Sequence, residues 1–188
     1  MSISRKLIGL LAVLGILAGC ASSGEPVDPK DQTVSLVYGY FDMDDAPTSV
    51  DWVSVKKYGG EANFYNMGAK DGLFWHVGVA PGSYQVETFG GGGGFFSSPH
   101  RYNFGTRGRN DTAIRIKTPG LYYMGSYKFV LHKGGIFEAG RFEMKSVKTP
   151  SEKELLQKLV KALESDDELK VYVRQINWAK QRIAQLPR

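Results

Sequence analysis

The side chains best suited to hold a ligand cluster in residues 95–109, where Phe95, Phe96, His100, Arg101, Tyr102, Phe104, Arg107 and Arg109 are set among glycine and serine. Aromatic rings stack on sugar faces or on peptide, and an Arg guanidinium pairs bidentately with carboxylate or phosphate. Phe95, Phe96, Arg101, Tyr102, Phe104, Arg107 and Arg109 are therefore the candidate ligand-binding residues. The same side chains also suit a plainer role, a long hairpin whose rings cover the edge of a β-domain. Residues 90–94, all glycine, come just before. They follow a strand and lead into two phenylalanines instead of opening a helix, so they read as a flexible loop and not as a phosphate cradle.

Other chemistry is sparse. His76, His100 and His132 are far apart, none has a neighbour at metal-ligand spacing, and no H-E-x-x-H occurs. His76 reads as an exposed or edge histidine beside Trp75. Asp42, Asp44 and Asp45, with Asp51 nearby, begin like a calcium loop, but Ala46 takes the next ligand position and Pro47 stands where that loop needs Gly. An acidic turn after the first strand is the simpler reading. No G-x-S-x-G elbow is present. No catalytic residue, metal or cofactor is expected.

The first twenty residues have another logic. Arg5 and Lys6 give a positive start, residues 7–17 form an uncharged and almost wholly apolar run, and two small residues lead to Cys20, the only cysteine. This is the layout of a secretory signal, with an apolar run well short of the roughly 20 residues a membrane-spanning helix needs. Leu17-Ala18-Gly19-Cys20 resembles the lipobox of bacterial lipoproteins. The resemblance implies a diacylglyceryl thioether on Cys20, cleavage after Gly19 and acylation of the new amino terminus. Two or three acyl chains anchor a protein stably, at about 0.8 kcal/mol per buried CH₂. Ala21 follows the cysteine, whereas Asp at that place resembles the inner-membrane retention signal of enteric bacteria. The resemblance therefore points to the inner leaflet of an outer membrane, facing the periplasm.

Residues 20–32 are small, polar and twice interrupted by Pro, as a tether would be. The chain has 24 basic against 19 acidic residues, and two of the basic ones belong to the signal. So mild a balance does not indicate nucleic-acid binding. With Cys20 committed to lipid, no disulfide can form, and stability must come from packing.

Within residues 33–148 the hydrophobic period is two. Val34, Leu36, Tyr38 and Tyr40 share a face, as do Leu73, Trp75, Val77 and Val79; Val53/Val55, Ile114/Ile116 and Phe142/Met144 alternate with polar residues. Half-buried antiparallel strands follow, with Trp75, Val77, Val79 and Ile114 inside. Pro81-Gly82 and Pro119-Gly120 each suit a type II hairpin turn, and Lys133-Gly134-Gly135-Ile136 is a third turn. Residues 73–89, an apolar strand followed by Pro-Gly and Tyr84-x-Val86, resemble the central hairpin of transthyretin-like domains, which accompany peptidases and carbohydrate-active proteins. Seven or eight strands in so short a stretch indicate a sandwich or a barrel, and this resemblance implies the antiparallel sandwich, immunoglobulin-like or prealbumin-like, without implying any active-site residue.

Residues 149–188 change period. Thr149-Pro150-Ser151-Glu152 has the form of a capping box with Pro at the first helical position, and Leu155, Leu156, Leu159, Val160 and Leu163 form a stripe. Ser165-Asp166-Asp167-Glu168 starts a second helix in the same manner, with Leu169, Tyr172, Val173, Ile176, Ile183 and Leu186 as its apolar face. An αα-hairpin with a very short link results, docked on the β-domain or offered to a partner. The expected division is a signal peptide over 1–19, the lipidated Cys20 and tether over 20–32, a β-sandwich over 33–148 and the helical hairpin over 149–188. The functional expectation is a membrane-anchored envelope lipoprotein, a non-enzymatic binding or accessory module for envelope protein or glycan. An enzyme or enzyme subunit acting on envelope glycan, and a structural part of an envelope assembly, stand as alternatives.

Overall fold

The structure, a computed structural model, describes residues 28–58, 64–92, 99–104, 110–132 and 141–187. The strands are β1 (Ser35–Asp42), β2 (Trp52–Tyr58), β3 (Phe64–Lys70), β4 (Leu73–Val79), β5 (Gly82–Gly91), β6 (His100–Asn103), β7 (Ile114–Ile116), β8 (Leu121–His132) and β9 (Arg141–Ser146). Helices α1 (Glu152–Ser165) and α2 (Val173–Gln185) follow. The protein is mainly β, as the period of two requires. Among the described residues no helix is long and apolar enough to cross a membrane.

The strands do not form two facing antiparallel sheets. They form one curled sheet in the order β6-β5-β2-β3-β4-β1-β8-β9, with β7 also on β5. Every pairing is antiparallel except β1 with β8, which is parallel. The sheet is therefore mixed and curls into a half-barrel. The expected sandwich fails because local alternation marks strands but not their partners. The two Pro-Gly corners show it. Pro81-Gly82 joins β4 to β5 and Pro119-Gly120 joins β7 to β8, yet neither pair shares a ladder. Both corners carry the chain between non-neighbouring strands and close no hairpin. A hairpin turn does join β3 to β4 at Asp71 (φ 50°) and Gly72 (φ 80°), the positive-φ pair that a type I′ turn demands. The Lys133–Ile136 turn candidate lies outside the described residues.

Two apolar clusters occupy opposite faces of the sheet. Inside the curl, Val37, Phe41, Val53, Val55, Phe74, Val79, Val86, Phe89 and Phe104 pack together. On the other face Leu36, Tyr38, Leu73 and Val77 meet Leu155, Leu156, Leu159 and Leu163 of α1 and Ile176 and Ala179 of α2. β1 and β4 are thus buried on both sides and are not the half-buried strands that their alternation suggests. Val77 and Val79 are buried as expected, whereas Trp75 and Ile114 are only partly so. Val79 also lies in a different cluster from Val77. The ladder register between β1 and β4 shifts between Ser35 and Val37, opposite the end of β4, and the shift carries Val79 to the inner face.

Both helix starts differ from the expected ones. The N-cap of α1 is Ser151, not Thr149: its Oγ accepts from Glu154 N at 3.3 Å while Glu154 Oε2 accepts from Ser151 N at 2.7 Å. The capping box is real but displaced by two residues. Asp166 does cap a turn, accepting from Glu168 N at 2.8 Å, but that turn stops and α2 begins only at Val173. The link is correspondingly longer than expected, and Val173 is exposed instead of docked.

Candidate functional site

The two ends of the strand order, β6 and β9, curl toward each other, and aromatic rings fill the seam. Tyr102 on β6 lies 5.1 Å from Phe142 on β9 and 5.2 Å from Phe129 on β8, measured between ring centroids. Phe129 and Phe142 stack at 5.1 Å and 9°. Phe89 of β5 stacks on Tyr102 at 5.3 Å. Above this floor runs the turn after β1, in which Ala46 N donates to Met43 O at 2.9 Å and Asp44 N to Asp42 Oδ1 at 3.1 Å. Floor and turn enclose an open cavity of about 380 Å³, with Tyr102, Phe129, Phe142 and Leu131 below and Asp44, Asp45, Ala46 and Pro47 on the rim. That volume falls within the range of small-ligand sites.

The electrostatics are one-sided. Asp45 is bridged by Lys128 at 3.1 Å, and Asp42 lies 4.0 Å from the same ammonium. The hydrogen bond to Asp45 holds the Lys128 pKa above its ordinary value, so Lys128 stays charged. Three carboxylates facing one ammonium leave the rim acidic. The Tyr102 hydroxyl is buried and has no hydrogen-bond partner among the described residues. Its burial raises its pKa. A buried hydroxyl without a partner destabilises the fold unless something supplies one.

The strand period separates the candidate ligand-binding residues that are described. Arg101 points outward and is exposed, while Tyr102 enters the seam. Phe104 is 8% exposed and stacks on Phe41 at 5.5 Å, edge-on to Tyr127 at 4.9 Å. Its ring is core and has no free face for a ligand. Phe95, Phe96, Arg107, Arg109 and the lipidation candidate Cys20 lie outside the described residues. Of residues 90–94, Gly90 and Gly91 belong to β5 and pair with Arg101 and His100. A Cβ on Gly90 would stand 2.0 Å from His100 O, so glycine lets β5 and β6 approach, and the expected flexible loop cannot begin there.

The acidic cluster is divided too. Asp51 does not join Asp42, Asp44 and Asp45; its carboxylate accepts from Gly92 N at 2.8 Å and Ser49 Oγ at 3.1 Å, fixing the end of β5. Among the described residues no group of three or more His, Cys, Asp or Glu is placed to hold a metal. His76 is half-buried against Tyr65, with ring centroids 5.2 Å apart, on a strand paired on both sides, so it is neither the exposed nor the edge histidine expected. Desolvation lowers its pKa to about 4, so it is neutral at pH 7. Sequence reasoning missed Phe129, Leu131 and Phe142 as parts of this cavity. Phe142 alternates with polar residues and marks β9, while Phe129 and Leu131 flank Val130 in an apolar run; only the curl of the sheet brings all three to Tyr102. No protein-family model, no curated protein and no solved structure matches the chain.

Proposed function

We propose that this protein is a lipid-anchored envelope lipoprotein, held by acyl chains on Cys20 in the inner leaflet of an outer membrane. It faces the periplasm and acts there as a non-enzymatic binding or accessory module. The observation that carries the reading is Leu17-Ala18-Gly19-Cys20 at the end of an apolar run too short to span a bilayer. The binding part is supported by the β6/β9 seam, whose aromatic floor and acidic rim suit an apolar group carrying positive charge, on an envelope protein or another envelope component.

Cell fractionation of wild type and Cys20→Ser tests the anchor. The wild type should sediment with membranes and enter detergent, while the variant should appear in the soluble fraction or stay as an uncleaved precursor. Equal, detergent-independent solubility of the two would remove the anchor from the account.

A further inference from the structure

A second cavity, of about 360 Å³, lies between α2 and the sheet, on the far side of the sheet from the aromatic seam. Its back is an ion pair. Arg182 donates from Nε to Glu152 Oε1 at 2.8 Å and from Nη2 to Oε2 at 3.0 Å, and the Tyr38 hydroxyl donates to Oε1 at 3.1 Å. Tyr38 is fully buried and stacks on Tyr123 at 5.0 Å, so the group is fixed from the sheet side. Trp178, Gln181 and Gln185 supply the α2 wall. These three lie on one helix face, at spacings of three and four. The Arg174 guanidinium sits 4.6 Å from the Trp178 ring centre and steadies the indole.

We propose that this cavity binds a neutral saccharide. Three features select that chemistry. Glu152 and Arg182 are the charged residues that line the cavity, and their fork pairs the two, so the lining carries no net charge to favour an anion or a cation; Arg174, on the Trp178 ring, lies outside the lining. Gln181 and Gln185 are exposed, and each carries one acceptor and two donors, matching adjacent hydroxyls that both donate and accept. Trp178 adds an aromatic surface for the C–H face of a sugar ring. An acyl chain would leave these amides unpaired, and a charged ligand would have to break the fork. The site uses neither the lipid nor the seam, so it stands or falls separately from the proposed anchor.

The test is a titration of the full chain in a detergent without a sugar head group, followed by tryptophan fluorescence and isothermal calorimetry. The probes are the tetramer of N-acetylglucosamine and maltotetraose, with a neutral amidated tetrapeptide as comparison. At least one saccharide should bind saturably. Trp178→Leu should weaken that binding about tenfold or more, a factor that corresponds to about 1.4 kcal/mol. The double variant Gln181→Ala/Gln185→Ala, which changes only exposed side chains, should weaken it about fivefold or more without shifting the melting temperature. Leu131→Ala in the seam should leave it unchanged. The proposal is overturned if neither saccharide binds, if the glutamine variant binds as well as wild type, or if the peptide binds equally and competes.

Discussion

Tyr102 and Phe142 sit on the two edge strands at opposite ends of the sheet order, yet their ring centroids are 5.1 Å apart. This contact holds the half-barrel curled and makes the floor of the seam. Its two members should respond differently to substitution. Phe142→Ala removes a ring that also stacks on Phe129 and should cost about 3 kcal/mol, measured by chemical denaturation. Tyr102→Phe deletes a buried hydroxyl that has no partner among the described residues and should leave stability unchanged or slightly raised. A loss of more than about 1 kcal/mol in Tyr102→Phe would show that the hydroxyl is hydrogen-bonded after all.

Burial of His76 predicts a stability profile with a definite sign. Its pKa is about 4 in the folded protein against 6.5 for the ordinary side chain. Between those values the unfolded chain binds more protons, so stability rises with pH. The contribution is fully present above 6.5, declines as pH falls toward 4 and then levels off. The depression corresponds to roughly 2–3 kcal/mol after allowing for partial exposure. Denaturation midpoints of wild type and His76→Gln across this window check it. Parallel curves would contradict the assignment.

Gly90→Ala should loosen β6 from β5, because the new Cβ would meet the His100 carbonyl, which is backbone and cannot rotate away. We expect a loss of about 2 kcal/mol or more and faster hydrogen exchange at the amides of Arg101 and Tyr102. Unchanged exchange in the variant would mean that β6 is not tied to β5 at this point.

The helices are an integral cover for β1 and β4. Leu159 is fully buried between α1 and the sheet, and Leu159→Ala should cost about 2–5 kcal/mol. Calorimetry should show one cooperative transition that shifts as a whole. A separate low-temperature transition for the helices, with the β-domain unmoved, would mean that they are an appendage.

What was legible in the sequence was local. Alternation at Val53/Val55 and Ile114/Ile116 marked real strands, and the Leu155–Leu163 stripe marked a real helix with its buried face. Pairing was not legible. Nothing in Ser35–Asp42 announces that its neighbour is the parallel Leu121–His132, some eighty residues on. Ser165-Asp166-Asp167-Glu168 misled because Asp166 does what a cap does, yet its turn is not continued, and Tyr172 begins α2 with no side-chain cap at all. The site followed the same rule. Tyr102 was recognisable as an aromatic near arginines, but its companions Phe129 and Phe142 come from strands that only the curl brings near. Arg101, its immediate neighbour, points the other way because successive residues of a strand alternate.

Intact-mass spectrometry of the protein extracted from its own membranes tests the proposed lipid on Cys20. The chain should begin at Cys20 and carry the added mass of two or three acyl chains, with the modification mapped to the N-terminal peptide. A chain beginning elsewhere, or one beginning at Cys20 with no acyl mass, would contradict it.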